Sequence, residues 1–562
     1  MLTEALRNSL KGLYVQTWDS FGLLTFELQV GKIISFVAYL KNDFCFDLLL
    51  DITAVDYPGR DQRFDVAYHL YSSRNNQRIR LKTRVTEDKP FVPTLSALYD
   101  SARYIERELR DMYGIISEGN DDLRPILLYE GFQGHPLRKD YPIDLEQPIV
   151  SYRHQGLDTQ DYNSPVRSIL EKTAAPHEVV VNIGPSHPAT HGTIHIIAAL
   201  DGEKVMKADV HCGYLHRGFE KEAEHHAYHK VIPYTDRLNY CSALNNNFAY
   251  AEAVEKLLGI EITPRCVYLR TLLCEYNRIA DHITCIAAVA MELGAMTAFL
   301  YLMTIRDYIF EHLNQLTGAR LTYSFVRIGG LKNDLPDRWL DRLEEILVFY
   351  ERYIERIHKL LDRNRIFIDR TRGVGAMTPE HALNWGFTGP ILRSTGLKSD
   401  IRKDAPYLAY QDLDFEVPVG IQGDNYDRYY VRMREMDESV SMVRQCVKKL
   451  PDGPVNVYDR RALLPAKEKV YNKIEDLITH FKLIIDGIQV PEGEIYVSHE
   501  APNGELGFYL VSDGGGHPYK LHVRSPSFTH MGGMHSLLEG HQVADIIATF
   551  GSMNMIGGEC DR

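Results

Sequence analysis

The sequence predicts an α+β protein in two parts, a small N-terminal α+β domain followed by a mainly α-helical bundle domain with flanking β-hairpins. Three observations carry this. Residues 21–85 alternate apolar and polar in the strand manner; residues 134–178 form a polar, proline-punctuated tract; beyond about residue 200 the pattern turns helical for some 250 residues. At 562 residues the chain also exceeds what one core usually fills.

Within the first part, RFDVAYHLYS (63–72) and RIRLKTRV (78–85) read as strands between turns such as YPGRDQ and SSRNNQ. A helix is expected from near Pro93 to about Tyr113. The tract GHPLRKDYPIDLEQP through RHQGLDTQDYNSP has no sustained periodicity and reads as a linker. This divides the chain into domains 1–145 and 179–562 with a linker over 146–178.

The second part opens with strand-like HEVVVNIG and GTIHIIAAL. Thr263-Pro264 and Thr378-Pro379 are N-cap plus N1-proline helix starts, and Asp337 is placed to cap DRWLDRLEEILVFYERYIERIHKLL. Several helices exceed 20 residues, as in a bundle. The apolar run Ile283–Met303 approaches bilayer length, but Glu292 at its middle and Gly294 after it favour a buried helix. Near the end, GEIYVSHEAPNGELGFYLVSD reads as a hairpin turning at Asn503-Gly504.

Composition narrows the function. A net charge of -13 argues against a nucleic-acid binder. The eight cysteines form no C-x-x-C pair, which suits a reducing compartment and leaves no self-contained iron-sulfur motif. The N-terminus MLTEALRNSLKGLYVQ lacks a basic segment followed by an apolar one, so no secretory signal is expected. Neither SDGGGHPYK (512–520) nor any other run is a P-loop or a dinucleotide fingerprint. The chain is expected to be soluble and docked on a membrane partner.

Two histidine groups stand out. The loop Gly184-Pro185-Ser186-His187-Pro188-Ala189-Thr190-His191-Gly192 holds two imidazoles and a hydroxyl between two strands. A structural turn, an acid/base or hydrogen-bonding site, and a metal site all remain open for it, although Pro188 prevents helical pairing of the histidines and no acidic or cysteine ligand is near. His225 and His229, with His226 between them, have i, i+4 spacing on an expected helix and lack a third ligand, so a polar helical face is the simpler reading.

The segments NIGPSHPATHG (182–192), GYLHRGFEK (213–221), PYTDRLNY (233–240), AVEKLLGI (253–260), ELGAM (292–296), GAR (318–320), VRIGGLKNDLP (326–336), EAPNGELGFYLVSDG (500–514) and RSPSF (524–528) resemble the D subunit of respiratory complex I, over about residues 179–562. ERELRDMYGI (106–115) and LRPILLYEGFQGHPLRKDYP (123–142) resemble its C subunit, so the chain looks like the fused C/D form found in some bacteria.

That resemblance implies a peripheral-arm subunit of a proton-translocating NADH:quinone oxidoreductase. It would form the quinone-reduction site with the B subunit, beside the terminal iron-sulfur cluster. His191 and Tyr240, the latter at the start of a helix expected near Asp236, would be the catalytic pair contacting the quinone headgroup, with His187 as a further quinone contact. Quinol formation consumes two protons, which gives both residues a chemical purpose. Glu292 matches an aspartate that communicates with the site through the loop histidine, and marks the start of the coupling route. Arg217 matches an arginine lying against the partner's cluster. Thr322 replaces a histidine common at that place, and since threonine cannot titrate, the cluster potential should depend less on pH.

The resemblance also implies no metal and no redox cofactor bound by this chain; quinone is the substrate and iron-sulfur clusters sit in partner subunits. The implied partners are the B and I subunits, the membrane H and A subunits, and the G subunit as a further candidate, at the cytoplasmic face of the bacterial inner membrane. The D part is related to the large subunit of nickel-iron hydrogenases, which carry two C-x-x-C pairs. The matching positions here are Asn239 and Ser242, and Ile556 and Glu559, none a thiol, so a nickel-iron centre cannot assemble. Cys241 and Cys560, next to these positions, read as packing residues.

Overall fold

A computed structural model describes residues 6, 7, 10–145, 147, 170, 174–190 and 192–562. Of the expected linker 146–178, only Gln147, Leu170 and residues 174–178 fall within it.

The first unit is a five-stranded sheet in the order β1-β2-β5-β4-β3, from β1 (Gln16–Ser20), β2 (Leu23–Leu28), β3 (Leu48–Asp56), β4 (Phe64–Ser72) and β5 (Gln77–Val85). All pairs are antiparallel except β2 with β5; helix α1 (Ile33–Phe44) carries the chain from β2 to β3 at the far edge of the sheet. Every residue of β3 and β4 is buried, so the sheet is covered on both faces. Its apolar side chains, such as Phe26, Ile52 and Leu81, share a core with Phe36 and Leu40 of α1. Polar ones reach across to the second unit: Arg80 and Lys82 each meet Glu494 at 2.9 Å, and His69 stacks on Tyr496 at 4.4 Å between ring centres.

The helix expected from Pro93 begins later. β6 (Phe91–Pro93) pairs with β7 (Ile116–Glu118), and helix α2 runs over Ser101–Tyr113. Glu106 accounts for the delay, since its carboxylate takes the Leu95 amide at 2.8 Å and the Thr94 hydroxyl at 2.7 Å and so holds this stretch out of the helix.

The second unit starts with β8 (Val179–Ile183), β9 (His195–Asp201) and β10 (Lys204–His211), an antiparallel sheet. Helices α3 (Phe219–His225) and α4 (Tyr228–Thr235) follow. His226 is extended between them, so His225 and His229 lie on different helices and the expected i, i+4 face does not exist. His226 instead meets Tyr234 at 3.1 Å and Glu222 at 3.3 Å.

Long helices α5 (Ala243–Leu258), α6 (Pro264–Glu292), α7 (Met296–Thr317), α8 (Trp339–Leu361) and α9 (Asn425–Lys449) form the bundle. Thr263 caps α6 by accepting from Cys266 N, and Thr378 caps the short helix Pro379–Asn384. Asp337 does not cap α8; the residue ahead of that helix is Arg338, in a left-handed conformation at φ 60°. The apolar run expected as one helix is two, because Gly294 at φ 84° turns the chain after Glu292, and Ala295 N then closes on Ala290 O at 2.7 Å. Among the described residues no helix is long and apolar enough to cross a membrane.

Inside the bundle, buried charges are saturated with partners, as they must be away from water. Glu275 accepts from Arg278, Arg402, Tyr410 and Ser439, while Arg393 bridges Glu435 and Glu500 at 2.8 Å each. A two-residue ladder, β11 (Val326–Arg327) with β12 (Gly330–Leu331), precedes the expected hairpin, which forms as β13 (Gly493–Ala501) and β14 (Gly504–Ser512), extended by β15 (Lys520–Arg524). Helices α10 (Pro526–Leu538), α11 (Val543–Met553) and the short turn α12 (Gly557–Cys560) end the chain inside the molecule, with Arg562 only 4% exposed.

Candidate active site

Four segments meet around the C-terminal turn. Gly184 closes the base of the histidine loop, where its φ of 90° and the Ile194 carbonyl 2.0 Å from any Cβ admit only glycine. Thr190, 1% exposed, sends its hydroxyl to the His187 and Gly192 carbonyls at 2.8 Å each and so pins the turn Pro188–Thr190. His187 is left exposed on this pinned turn. His191 lies outside the described residues.

Gly192 packs on the C-terminal turn, where a Cβ would come 3.3 Å from Met555 and 3.6 Å from Gly557 N. On the far side of that turn a Cβ at Gly558 would sit 2.2 Å from the Arg237 carbonyl, and one at Gly557 would strike Leu215 at 2.5 Å. Two successive glycines thus let α12 wedge between the loop, the Leu215–Arg217 segment and the stretch leading to Tyr240. Asp561 fastens the same joint by accepting from Leu215 N at 2.8 Å, and His216 Nδ1 donates to the Arg562 carbonyl at 2.8 Å. Arg217, next along, is exposed.

Tyr240 begins a one-turn 3-10 helix, Tyr240–Ser242, ahead of α5; the helix expected from Asp236 starts only at Ala243. Asparagines build this turn. Asn239 Oδ1 accepts from Cys241 N at 3.0 Å, Asn277 Nδ2 donates to Cys241 O at 2.7 Å, and Asn246 Nδ2 donates to Asn239 O at 3.0 Å. Tyr240 itself is 40% exposed. Partial burial, with the nearby Cys241 and Asp281, pushes its hydroxyl up to about 12, so it stays protonated at neutral pH and is a hydrogen-bond donor.

Thr322 is tied to the same corner. Ser324 N and hydroxyl both donate to buried Asp236, at 3.1 Å for the amide, which draws the 322–324 segment against the end of α4. Thr322 is conformationally strained there, at φ 52°. Glu292 is half-buried at the C-terminal end of α6, eleven residues beyond Asp281 and hence about 16 Å along the helix axis from the level of the Tyr240 turn. It ends a helix rather than standing at the middle of one, where the helix dipole opposes its charge.

Asn239 and Glu559 belong to one buried hydrogen-bonded row. Asn239 donates to Asp281 Oδ2 at 2.8 Å, Asn554 Nδ2 reaches Asp281 Oδ1 at 2.9 Å and Asn503 Oδ1 at 2.5 Å, and Asn503 Nδ2 reaches Glu559 Oε2 at 3.1 Å. The sequence alone did not single out Asp281, Asn503 or Asn554, though a carboxylate just ahead of the apolar run that begins at Ile283 was a usable signal. Among the described residues, Cys212 and Cys560 with Asp561 are the one cysteine-containing group close enough to share an ion. Two thiols and a carboxylate do not match the four-ligand set of an iron-sulfur cluster.

The sequence matches the family model described as the respiratory-chain NADH dehydrogenase 49 Kd subunit over residues 292–562, and that of the 30 Kd subunit over residues 26–147. The NADH-quinone oxidoreductase D subunit of Pelobacter propionicus is 83% identical over 402 residues, which is 72% of this chain and 100% of that protein. The fused C/D subunit of Bdellovibrio bacteriovorus is 45% identical over 93% of this chain and 92% of its own length. For a C/D subunit of Aquifex aeolicus the values are 38%, 96% and 95%.

Proposed function

Because the chain belongs to the family of fused C/D subunits of NADH-quinone oxidoreductase, we propose that its loop 184–192 and its turn Tyr240–Ser242 line the site where a quinone is reduced. As part of complex I it works in a hetero-oligomer with the other NADH-quinone oxidoreductase subunits. In the proposed arrangement the B subunit seals the site from the other side and brings the terminal iron-sulfur cluster, so that electrons arrive from the partner and this chain supplies the walls and the hydrogen bonds. The proposed surroundings also include the I and G subunits and the membrane H and A subunits, on the cytoplasmic face of the inner membrane. The domain division is 1–145, 146–178 and 179–562 in the same reading.

The observation that carries the proposal is Tyr240, a partly exposed phenol held on a rigid turn, kept in its protonated form, and joined to the histidine loop through one intervening glycine turn. A quinone carbonyl gains negative charge as it is reduced, and a donor fixed in advance stabilises that charge without reorganising. Tyr240 would donate to one carbonyl and His191 to the other, with His187 meeting the ring on its way in. Arg217 and Thr322 would face the partner's cluster, and Glu292 would begin the route toward the membrane subunits.

Tyr240→Phe removes the donor and keeps the ring. In the assembled complex it should lower quinone turnover by about 100-fold, the scale of one positioned proton donor, and unchanged turnover would refute the reading.

A further inference from the structure

The buried row of side chains that starts at Asn239 ends at a carboxyl group for which the quinone chemistry above has no use. Asp281, Asn503 and Glu559 in this row are 1%, 0% and 0% exposed. Glu559 Oε2 accepts from Asn503 and from the Ser527 hydroxyl, while Oε1 has no hydrogen-bond partner among the described residues. Two carboxylates therefore share one water-excluded row, and among the described residues neither is paired with a cation. Arg524 of β15 faces Glu559 but directs its guanidinium to Thr388 Oγ1 and to the Glu505 and Gly386 carbonyls. Arg237, beside Gly558, turns to the Pro233 carbonyl, and Arg562, on the same turn as Glu559, is paired with Glu108 at 2.6 Å. The two differ in their hydrogen bonds: both Asp281 oxygens accept from an asparagine, which favours the charged form, whereas Glu559 has one oxygen without a donor and takes a proton in place of a counter-ion.

We propose that Glu559 is a proton-holding positioning residue of the quinone site: it binds one proton from solvent, and by cancelling one of the two negative charges in the row it makes the Tyr240 hydroxyl a better donor. Burial pushes the Glu559 carboxyl up to about 7 and the Asp281 charge adds to this, against the Ser527 and Asn503 hydrogen bonds. Asp281, at the near end of the row, is close enough for its charge to help hold the Tyr240 hydroxyl in the protonated form. With Glu559 neutral, less negative potential opposes release of the Tyr240 proton to a reduced quinone. The proton bound by Glu559 stays there; no bond to the quinone and no electron passes through it.

The inference rests on the reading of Tyr240 as a quinone contact, and the pH profile of quinone turnover by the intact complex tests the two separately. Unmodified complex should lose turnover as pH rises through about 7, by up to about tenfold per pH unit. Glu559→Gln, fixed in the neutral form, should lose that limb. Ser527→Ala removes a hydrogen bond that favours the charged carboxylate, so it should move the limb to higher pH, and it decides the matter if Glu559→Gln fails to assemble. A limb that persists in Glu559→Gln, or stays in place in Ser527→Ala, overturns the inference. If Tyr240→Phe is impaired and the limb survives Glu559→Gln, only the role of Glu559 falls; if Tyr240→Phe turns over normally, the quinone reading itself falls.

Discussion

Tyr240 and the loop histidines were legible as candidates, because a short motif carries its meaning in the identities of its own members. The row behind Tyr240 was not. Asn554 and Asp281 are hydrogen-bonded across 273 positions of sequence, and Asn503 reads locally as a hairpin residue and nothing more. Partners this remote leave no periodicity or spacing to read. Thr322 is a residue whose strain was equally invisible, since a β-branched side chain at φ 52° is imposed by the Ser324–Asp236 tether and not by its own preference. Thr322→Asn, which tolerates the left-handed region, should stabilise the chain by roughly 0.5–1 kcal/mol in chemical unfolding; a destabilised variant would show that the threonine makes a contact worth more than the strain.

Among the elements, strands and long helices followed their patterns, and the errors gathered at helix ends. Pro93, Asp337 and Asp236 each looked like a start, but Glu106, Arg338 and the asparagine-built turn at Tyr240 decided where the helices begin. The long apolar run reads as one helix because hydropathy does not register a single turn at Gly294. The element that assembles the site is the least conspicuous, the four-residue turn Gly557–Cys560 at the C-terminus. Gly558→Ala places a methyl group 2.2 Å from the Arg237 carbonyl, so the turn must shift or the Tyr240 segment must. We expect an overpacking cost of about 1–3 kcal/mol and a raised KM for quinone. A variant with normal KM and stability would mean that the close approach is not what sets the distance between loop and Tyr240.

For the molecule as a whole, the two units are joined through buried charge. His522 of β15 lies 2.6 Å from Asp51 of the N-terminal sheet and 2.8 Å from Glu220, and Arg562 reaches Glu108 of α2. Burial alone would push His522 down, but the Asp51 and Glu220 carboxylates outweigh it and raise the imidazole to about 9. A folded-state value above the unfolded 6.5 means that the protonated histidine contributes its full stability below about pH 6.5, and that this contribution is lost as pH rises through about 9. The loss amounts to at most about 3 kcal/mol. The unfolding midpoint should therefore drop across that window and His522→Gln should flatten the drop, whereas an identical slope in the variant would place the titration elsewhere. None of this was readable beforehand, since composition records how many charges a chain has and not which of them meet.

The claim on which the rest depends is that this chain presents Tyr240 to the quinone. It is tested most directly by following the iron-sulfur clusters proposed for the partner subunits in assembled complex carrying Tyr240→Phe, first on addition of the electron donor and then on addition of quinone. We expect the clusters to be reduced as fast as in unmodified complex and then to be reoxidised by quinone about 100-fold more slowly. Reoxidation at the unmodified rate would contradict the account.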